Sequence, residues 1–326
     1  MDIKETLKSH THKNDALAAL SYFGTFAVFF AALGLAAATA GQWLVTIPFV
    51  VFAAFGGVRL YVLQHDCGHH SLFRAPRMND LAGYGLSPFT LTPYRVMQYN
   101  HNLHHAYLGN LEHRETTEIH TMTLAEWRAA GFWERLQYRL YRNPLILLPV
   151  GGVFVYFLRY RWPKNTTRIG VAGVLAHNLM VAAFVGALYA LFGWAGVWTL
   201  ALVAVVSGMI GVFLVYLQHN FEDTYWDRKP DLDFRLAALK GSSALDLGWW
   251  FDLGTGNIAY HDIHHFNPAI PSYNLRRCHR ALRAEFGLPV IRWPEALASF
   301  RLKLWDEGAE KLVPFPSRES RRPATA

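Results

Sequence analysis

Four long apolar runs dominate the chain, and none of them carries a polar face. They cover about residues 17–38, 43–63, 170–192 and 195–217. A helix that is apolar all round is a buried core helix or a membrane span. Each run is long enough to cross a hydrocarbon core of about 30 Å. The turn Thr39-Ala40-Gly41-Gln42 joins the first pair, and Gly193-Trp194 joins the second. The pattern predicts two helical hairpins. The first run is too long for a signal-peptide core and lacks a cleavage end, so it reads as a retained helix.

The segments between the hairpins are of mixed kind. Residues 124–142 interleave Trp127, Phe132, Trp133, Leu136 and Leu140 with Arg128, Arg135, Arg139 and Arg142, the pattern of a helix lying on a membrane surface. Residues 81–91 are apolar but broken by Gly and Pro, which predicts a dip into the interface. Residues 144–160 are apolar yet short, with Pro149 and Gly151-Gly152. The resulting reading is one all-α integral membrane domain over residues 1–326, with four spans, a cytosolic helical cap and interfacial helices. Residues 1–15 are a polar, solvated N-terminal segment, and residues 17–63 the first hairpin. Residues 64–168 are cytosolic or interfacial, residues 170–217 the second hairpin and residues 218–313 the cap. Residues 314–326 are a basic tail expected to be disordered.

Composition sharpens this picture. The chain is 52% hydrophobic and 17% charged, where a soluble domain carries about a quarter charged residues. Its two cysteines, Cys67 and Cys278, form no CxxC, so neither a disulfide framework nor a zinc ribbon is indicated. The net charge is +7, but the basic residues flank apolar spans and form no nucleic-acid reader motif. Both hairpin turns are uncharged, while the opposite ends carry Arg74, Arg77, Arg95, Arg159, Arg161 and Arg228. The positive-inside rule then places both termini and those ends in the cytoplasm.

The chemistry lies in the histidines. In His101-Asn102-Leu103-His104-His105 they fall at i, i+3 and i+4, and the spacing returns in His261-Asp262-Ile263-His264-His265. On a helix such positions share one face. A third cluster, His65-Asp66-Cys67-Gly68-His69-His70, has a pair at i and i+4. With 16 histidines in 326 residues, one such triple arises by chance in roughly one chain in twenty-five, by counting matches. Two copies plus the pair indicate a metal site. All three clusters must lie on one side to share it, so residues 144–160 are expected to enter the membrane without crossing. His219 follows the fourth span as His65 follows the second, which makes it a further candidate ligand.

His65, His69, His101, His104, His105, His219, His261, His264 and His265 make nine candidates, too many for one metal and enough for two. Structural zinc closes with four ligands, usually with Cys among them. Many neutral nitrogens suit redox iron, with zinc and copper also open. Asp66 and Asp262 adjoin ligands and are candidates to orient them. His70 falls off the i, i+4 face and is given the same outer role. Asn257, at i−4 from His261, would share its helix face and hold a metal-bound water. His177, inside the third span, reads as neutral and packed, and His113 and His120 as surface residues.

HDCGHH at 65–70, HNLHH at 101–105 and HDIHH at 261–265 resemble the three histidine boxes of membrane fatty acid desaturases. Tyr216-Leu217-Gln218-His219, Asn257-Ile258, Arg114-Glu115-Thr116 and Ile270-Pro271-Ser272-Tyr273 extend the resemblance, towards the acyl-lipid, Δ12-type branch. It covers about residues 40–285. Box one here is H-x-x-x-H-H, where acyl-CoA Δ9 enzymes show H-x-x-x-x-H. No HPGG stretch indicates a fused cytochrome b5 domain. The resemblance implies two iron ions that activate dioxygen and desaturate a fatty acyl chain, carried on a lipid or on CoA. It also implies an external donor of ferredoxin or cytochrome b5 type, since the chain has no flavin or nicotinamide fingerprint. Competing readings are a di-iron hydroxylase or ketolase of an acyl, alkane or carotenoid substrate and, more remotely, a zinc-dependent membrane hydrolase.

Overall fold

The computed structural model describes residues 3–114, 119–161, 167–229 and 231–316. Glu115 and Thr116 and residues 317–326 of the expected tail lie outside them. α1 (Ile3–His10) precedes the first hairpin, α2 (Asp15–Ala38) and α3 (Trp43–Gly68). α4 (Pro76–Leu86), α5 (Tyr94–Ala106), α6 (Leu124–Ala129), α7 (Phe132–Tyr141) and α8 (Pro144–Val153) follow. The second hairpin is α9 (Val171–Phe192) and α10 (Trp194–His219). α11 (Phe234–Lys240), α12 (Trp249–Gly254), α13 (His261–Phe266), α14 (Ser272–Phe286) and α15 (Trp293–Ser299) follow the second hairpin.

Among the described residues, four helices are long and apolar enough to span a membrane, as expected: α2, α3, α9 and α10. At about 1.5 Å per residue they exceed a 30 Å core. Leu20, Phe23, Leu44, Phe52, Leu179, Leu191 and Trp198 stay exposed on them, as lipid-facing side chains must. α3 and α10 are the inner pair, each with 44% of its apolar window buried, against 28% for α2 and 17% for α9. Both inner helices carry a histidine in their last turn, so they bring His65 and His219 to the same end of the bundle.

Residues 144–161 run alongside α10 as α8, then a π turn (Phe154–Leu158) and a 3-10 turn (Arg159–Arg161). Gly152 lies against Gly208 so closely that a Cβ on either would come within 3 Å of the other's backbone, the kind of approach that small residues permit between spans. By Tyr160 the segment meets Tyr61, with their hydroxyls 3.3 Å apart. Tyr61 lies one turn from His65, so the segment turns back towards the histidine end.

Other expectations need correction. Residues 8–15 are exposed or half-buried, as expected of a solvated segment, but the N-terminal segment is tied down. α1 packs on α14 with Leu7 buried, and Asn274 donates to the carbonyls of His10 and His12. The surface helix over 124–142 is two helices broken at Ala130-Gly131. Thr123 and Glu126 form the capping box that starts α6, and extended backbone at Ala130 and Gly131 separates it from α7. Phe132 and Trp133 are exposed, but Trp127 is buried against Tyr138 and Phe315. Phe315 stacks on Trp127 with centroids 4.6 Å apart, so residues 314–316 are packed chain rather than tail. Five short strands also appear: β1 (Met122–Thr123), β2 (Ala244–Leu245), β3 (Val290–Ile291), β4 (Leu304–Asp306) and β5 (Lys311–Val313). They pair as β1-β4-β5, which joins the segment between the hairpins to the cap, and β2-β3 within the cap. The cap also reaches down beside α3. Arg59 donates to the Leu253 carbonyl, and Trp249, Trp250 and Leu253 are exposed at that level.

Candidate metal centre

Three helix ends and one short helix deliver the histidines. α3 ends through His65 and His69, α5 carries His101, His104 and His105, α10 ends at His219, and α13 carries His261, His264 and His265. The structure brings all nine together in two groups. His65, His69, His101, His105 and His264 form one; His104, His219, His261 and His265 form the other. Within each group one nitrogen per ring lies within 4.8 Å of every other. The i, i+4 pairs stay together, while the middle histidine of each triple crosses to the other group.

The nitrogens face one another as ligands of a shared ion do. Nε2 separations are 2.8 Å for His65–His101, 2.9 Å for His101–His105, 3.0 Å for His105–His264 and 2.9 Å for His261–His265. Bonds of about 2.1 Å at right angles around a metal put neighbouring nitrogens about 3.0 Å apart. A neutral imidazole has one N–H, so such a web of facing nitrogens cannot all be paired by hydrogen bonds. Two further atoms make the need explicit: His69 Nε2 and His219 Nε2 are buried and find no hydrogen-bond partner. His219 Nδ1 donates to the Gly241 carbonyl at 3.0 Å, which leaves Nε2 as the free lone pair.

Electrostatics favour the neutral, ligating form. Burial first, then the neighbouring imidazoles, holds His69, His101, His105, His261, His264 and His265 well below the ordinary histidine pKa. The same holds for His104, through burial first and then its neighbours His219 and Arg159. The donor set therefore fits two metal ions bound by nitrogen.

The residues named as supports fare differently. Asp66 is fully buried, with Oδ1 3.4 Å from His65 Nδ1 and Oδ2 accepting from Ser272 N–H at 2.8 Å. Asp262 has no ligand partner among its hydrogen bonds; its Oδ2 pairs with His279 Nδ1 at 2.8 Å. His70 turns away after the helix end, with φ 53°, and its Nε2 lies 3.0 Å from Asp80 Oδ1. Asn257 does not share a helix face with His261, because α13 begins at His261 and Asn257 sits in a turn with φ 64°. His177 is buried between Ser87 and Arg161.

Three residues escaped the sequence reading. Gln64 and Gln218, each just before a ligand, are buried and hold the chain segments around the site. Gln64 accepts from Thr90 Oγ1 at 2.7 Å and donates to the Thr92 carbonyl. Gln218 donates to the Ile258 carbonyl at 2.8 Å, fixing the turn before box three. The signal was present: both inner spans end in Leu-Gln-His, at 63–65 and 217–219. His279 was the third, readable from its place on the buried face of α14 beside Leu275, Cys278 and Leu282.

A cavity of about 490 Å³ abuts the histidines. Val58, Val62, Leu147, Val212 and Val215 give it apolar walls, His65, His101, His104, His219 and His261 reach it, and Arg114, His120 and Arg159 add polar groups. A smaller cavity of about 30 Å³ shares Val58 and Tyr61 with it and is otherwise lined by span residues such as Phe29, Leu200 and Val203 together with Phe89, Leu91 and Phe157.

The fatty acid desaturase family model matches residues 41–295. A fatty acid desaturase of Bacillus subtilis is 35% identical over 276 residues, 84% of this chain and 78% of that protein. A Synechocystis sn-1 acyl-lipid omega-3 desaturase (ferredoxin) is 29% identical over 251 residues, 70% of this chain and 64% of its own. A Synechocystis sn-1 oleoyl-lipid 12-desaturase is 27% identical over 245 residues, 70% of this chain and 65% of its own. With a matched model over most of its length and a relative of this identity and coverage, the chain belongs to the fatty acid desaturase family of oxidoreductases.

Proposed function

We propose that the protein inserts a C=C bond into a lipid-linked acyl chain, using dioxygen and two irons held by the nine histidines. The observation that carries this reading is the meeting of two imidazole groups with one apolar cavity. The overall change balances as R–CH₂–CH₂–R′ + O₂ + 2 e⁻ + 2 H⁺ → R–CH=CH–R′ + 2 H₂O. When bound, the irons supply the oxidising power to break two C–H bonds. His65, His69, His101, His105 and His264 would hold one ion, and His104, His219, His261 and His265 the other. Asp66 lies near His65 and restrains its ring. Val58, Val62, Val212 and Val215 hold the chain and exclude water, which fixes the methylene pair presented to the site. The uncharged hairpin turns and basic opposite ends support a cytoplasmic histidine end, with both termini on that side. An acidic electron carrier of ferredoxin or cytochrome b5 type suits the basic chain, and one relative's name includes ferredoxin.

Expression in a host lacking the activity, with fatty acid profiling by mass spectrometry, tests the reading. New unsaturated acyl chains and two irons per purified chain are expected. Hydroxylated products would turn the assignment to a hydroxylase, and one zinc with no iron to a hydrolase.

A further inference from the structure

One edge of the cap lies beside the spans rather than beyond their ends. α12 carries Trp249, Trp250, Phe251 and Leu253, and of these only Phe251 is buried. Its neighbours on α3 are residues well inside that span. Phe55 meets Trp250 at 6.0 Å and Phe251 at 6.3 Å between ring centroids. Gly254 lies so close that a Cβ on it would fall 2.5 Å from the Phe55 ring. Arg59, one turn after Phe55, donates to the Leu253 carbonyl. Phe55 stands eight residues before Leu63, where the apolar run of α3 ends. At 1.5 Å per residue, α12 therefore sits about 12 Å inside that end.

The side chains of α12 suit that depth. Its one charged residue, Asp252, is 2% exposed and turned into the protein. There Arg276 Nε lies 3.1 Å from Asp252 Oδ2, and the Tyr260 hydroxyl donates to the same oxygen at 3.2 Å. Outward, α12 shows Trp249, 70% exposed, with Trp250 and Leu253. Trp250 stacks on Trp293 of α15, with planes 15° apart, and α15 adds an exposed Leu297. The exposed charges of this ridge, Arg292, Glu295 and Arg301, all belong to α15 and its flanks. On α3 the apolar surface runs on into Phe52, exposed one turn before Phe55 on the same face. A contiguous apolar surface of this kind marks an interaction site.

We propose that α12 is inserted among the acyl chains of the leaflet at the histidine end, with Trp249, Trp250 and Leu253 in contact with lipid. The inference rests on the four spans and not on the desaturase reading. The occupant is lipid because the patch is continuous with the lipid-facing side of α3 and lies at the depth of its apolar run. Tryptophans gather at the edges of a bilayer, and helices with one apolar face bury that face about 5–10 Å into it. The same arrangement serves Arg59, since an arginine within a span needs partners there. Ser21 Oγ and Thr25 Oγ1 of α2 and the Leu253 carbonyl of α12 supply them. Six residues after α12 the chain reaches His261. Box three is thereby anchored in the bilayer by α12, as box one is by α3.

The test uses the full chain in lipid nanodiscs, with Trp249→Cys and Leu253→Cys each carrying a thiol-linked nitrobenzoxadiazole fluorophore. Cys67 and Cys278 are both buried, and the unaltered protein gives the labelling background. Ala309→Cys, in the exposed turn between β4 and β5, is the comparison in water. Lipids bearing a nitroxide on the upper acyl chain should quench the fluorophores at 249 and 253 and leave the one at 309 bright. Aqueous iodide should quench those two about fivefold or more below the one at 309, as burial past the headgroups requires. Iodide quenching equal at all three positions, with no effect of the nitroxide lipids, would overturn the proposal by placing α12 in water. Shielding of 249 and 253 from iodide and nitroxide alike would overturn it too, because a protein surface such as a second copy of this chain would then cover the patch. Both positions lie on the same helix, so either variant decides alone where the other fails to insert.

Discussion

The five-histidine and four-histidine groups are built from the same boxes in different ways. The five-histidine group is made of two helical i, i+4 pairs, His65 with His69 and His101 with His105, completed by His264. The four-histidine group has one such pair, His261 with His265, and depends on His104 and on His219, which lies outside every box. In the first, helix periodicity alone sets most of the geometry. In the second, His219 is oriented by a backbone carbonyl, that of Gly241. A box is thus a local motif, whereas an ion site is assembled across boxes by crossing over His104 and His264.

The largest effects should come from breaking either group. His264→Ala in the five-histidine group and His219→Ala in the four-histidine group should each abolish desaturation. Groups that merely orient a ligand cost about 10–100-fold when lost, so a ligand costs more. Iron should fall from two per chain towards one while the protein still inserts. Equal activity of His219→Ala and the unaltered protein would reduce His219 to a helix end and leave the second group with three ligands.

The next contrast is between the two aspartates that follow the first histidine of a box. Asp66 lies 3.4 Å from His65 Nδ1, whereas Asp262 is paired with His279. Asp66→Asn should weaken iron binding by about 10–100-fold. Asp262→Asn should leave iron affinity near normal and cost about 1–3 kcal/mol of stability through the buried His279 bond. Iron titration and thermal unfolding separate the two, and equal losses of iron in both would remove the distinction.

What the sequence revealed follows this division between local and assembled geometry. The spans were readable because about 20 apolar residues have few other uses. The box histidines were readable because helical spacing is a local property. Asp262 and Asn257 misled for the same reason: adjacency and an assumed helix said nothing of His279, or of where α13 begins. The packing of Phe315 on Trp127 is a contact across nearly 200 positions of chain, which no local pattern records.

A smaller effect, on selectivity rather than rate, should separate the two cavities. Tyr61 stands between the large cavity and the small one, one turn, or about 5.4 Å, from His65. Tyr61→Ala should join them and shift the product profile towards longer chains or a different bond position. Tyr61→Phe keeps the ring and loses the contact with the Tyr160 hydroxyl, so its profile should match that of the unaltered protein. Identical profiles in all three would mean that the wall lies elsewhere.

The smallest effect on activity should come from His177, a histidine in a span yet outside both groups. Its hydrogen bonds fix its form. Arg161 Nη2 lies 2.8 Å from Nε2 and can only donate, so Nε2 is the acceptor. The proton is then on Nδ1, which donates to Ser87 Oγ at 2.7 Å. Ser87 Oγ in turn donates to the Thr92 carbonyl at 2.9 Å, completing a chain with one direction throughout. This ties α9 to the segment between α4 and α5 and offers no nitrogen to a metal. His177→Ala should therefore keep two irons and an unchanged product profile. It should cost about 1–3 kcal/mol, because Arg161 and Ser87 lose a buried partner. Thermal unfolding beside iron analysis makes the check: a loss of iron in His177→Ala at unchanged stability would place His177 with the nine histidines it otherwise contrasts with.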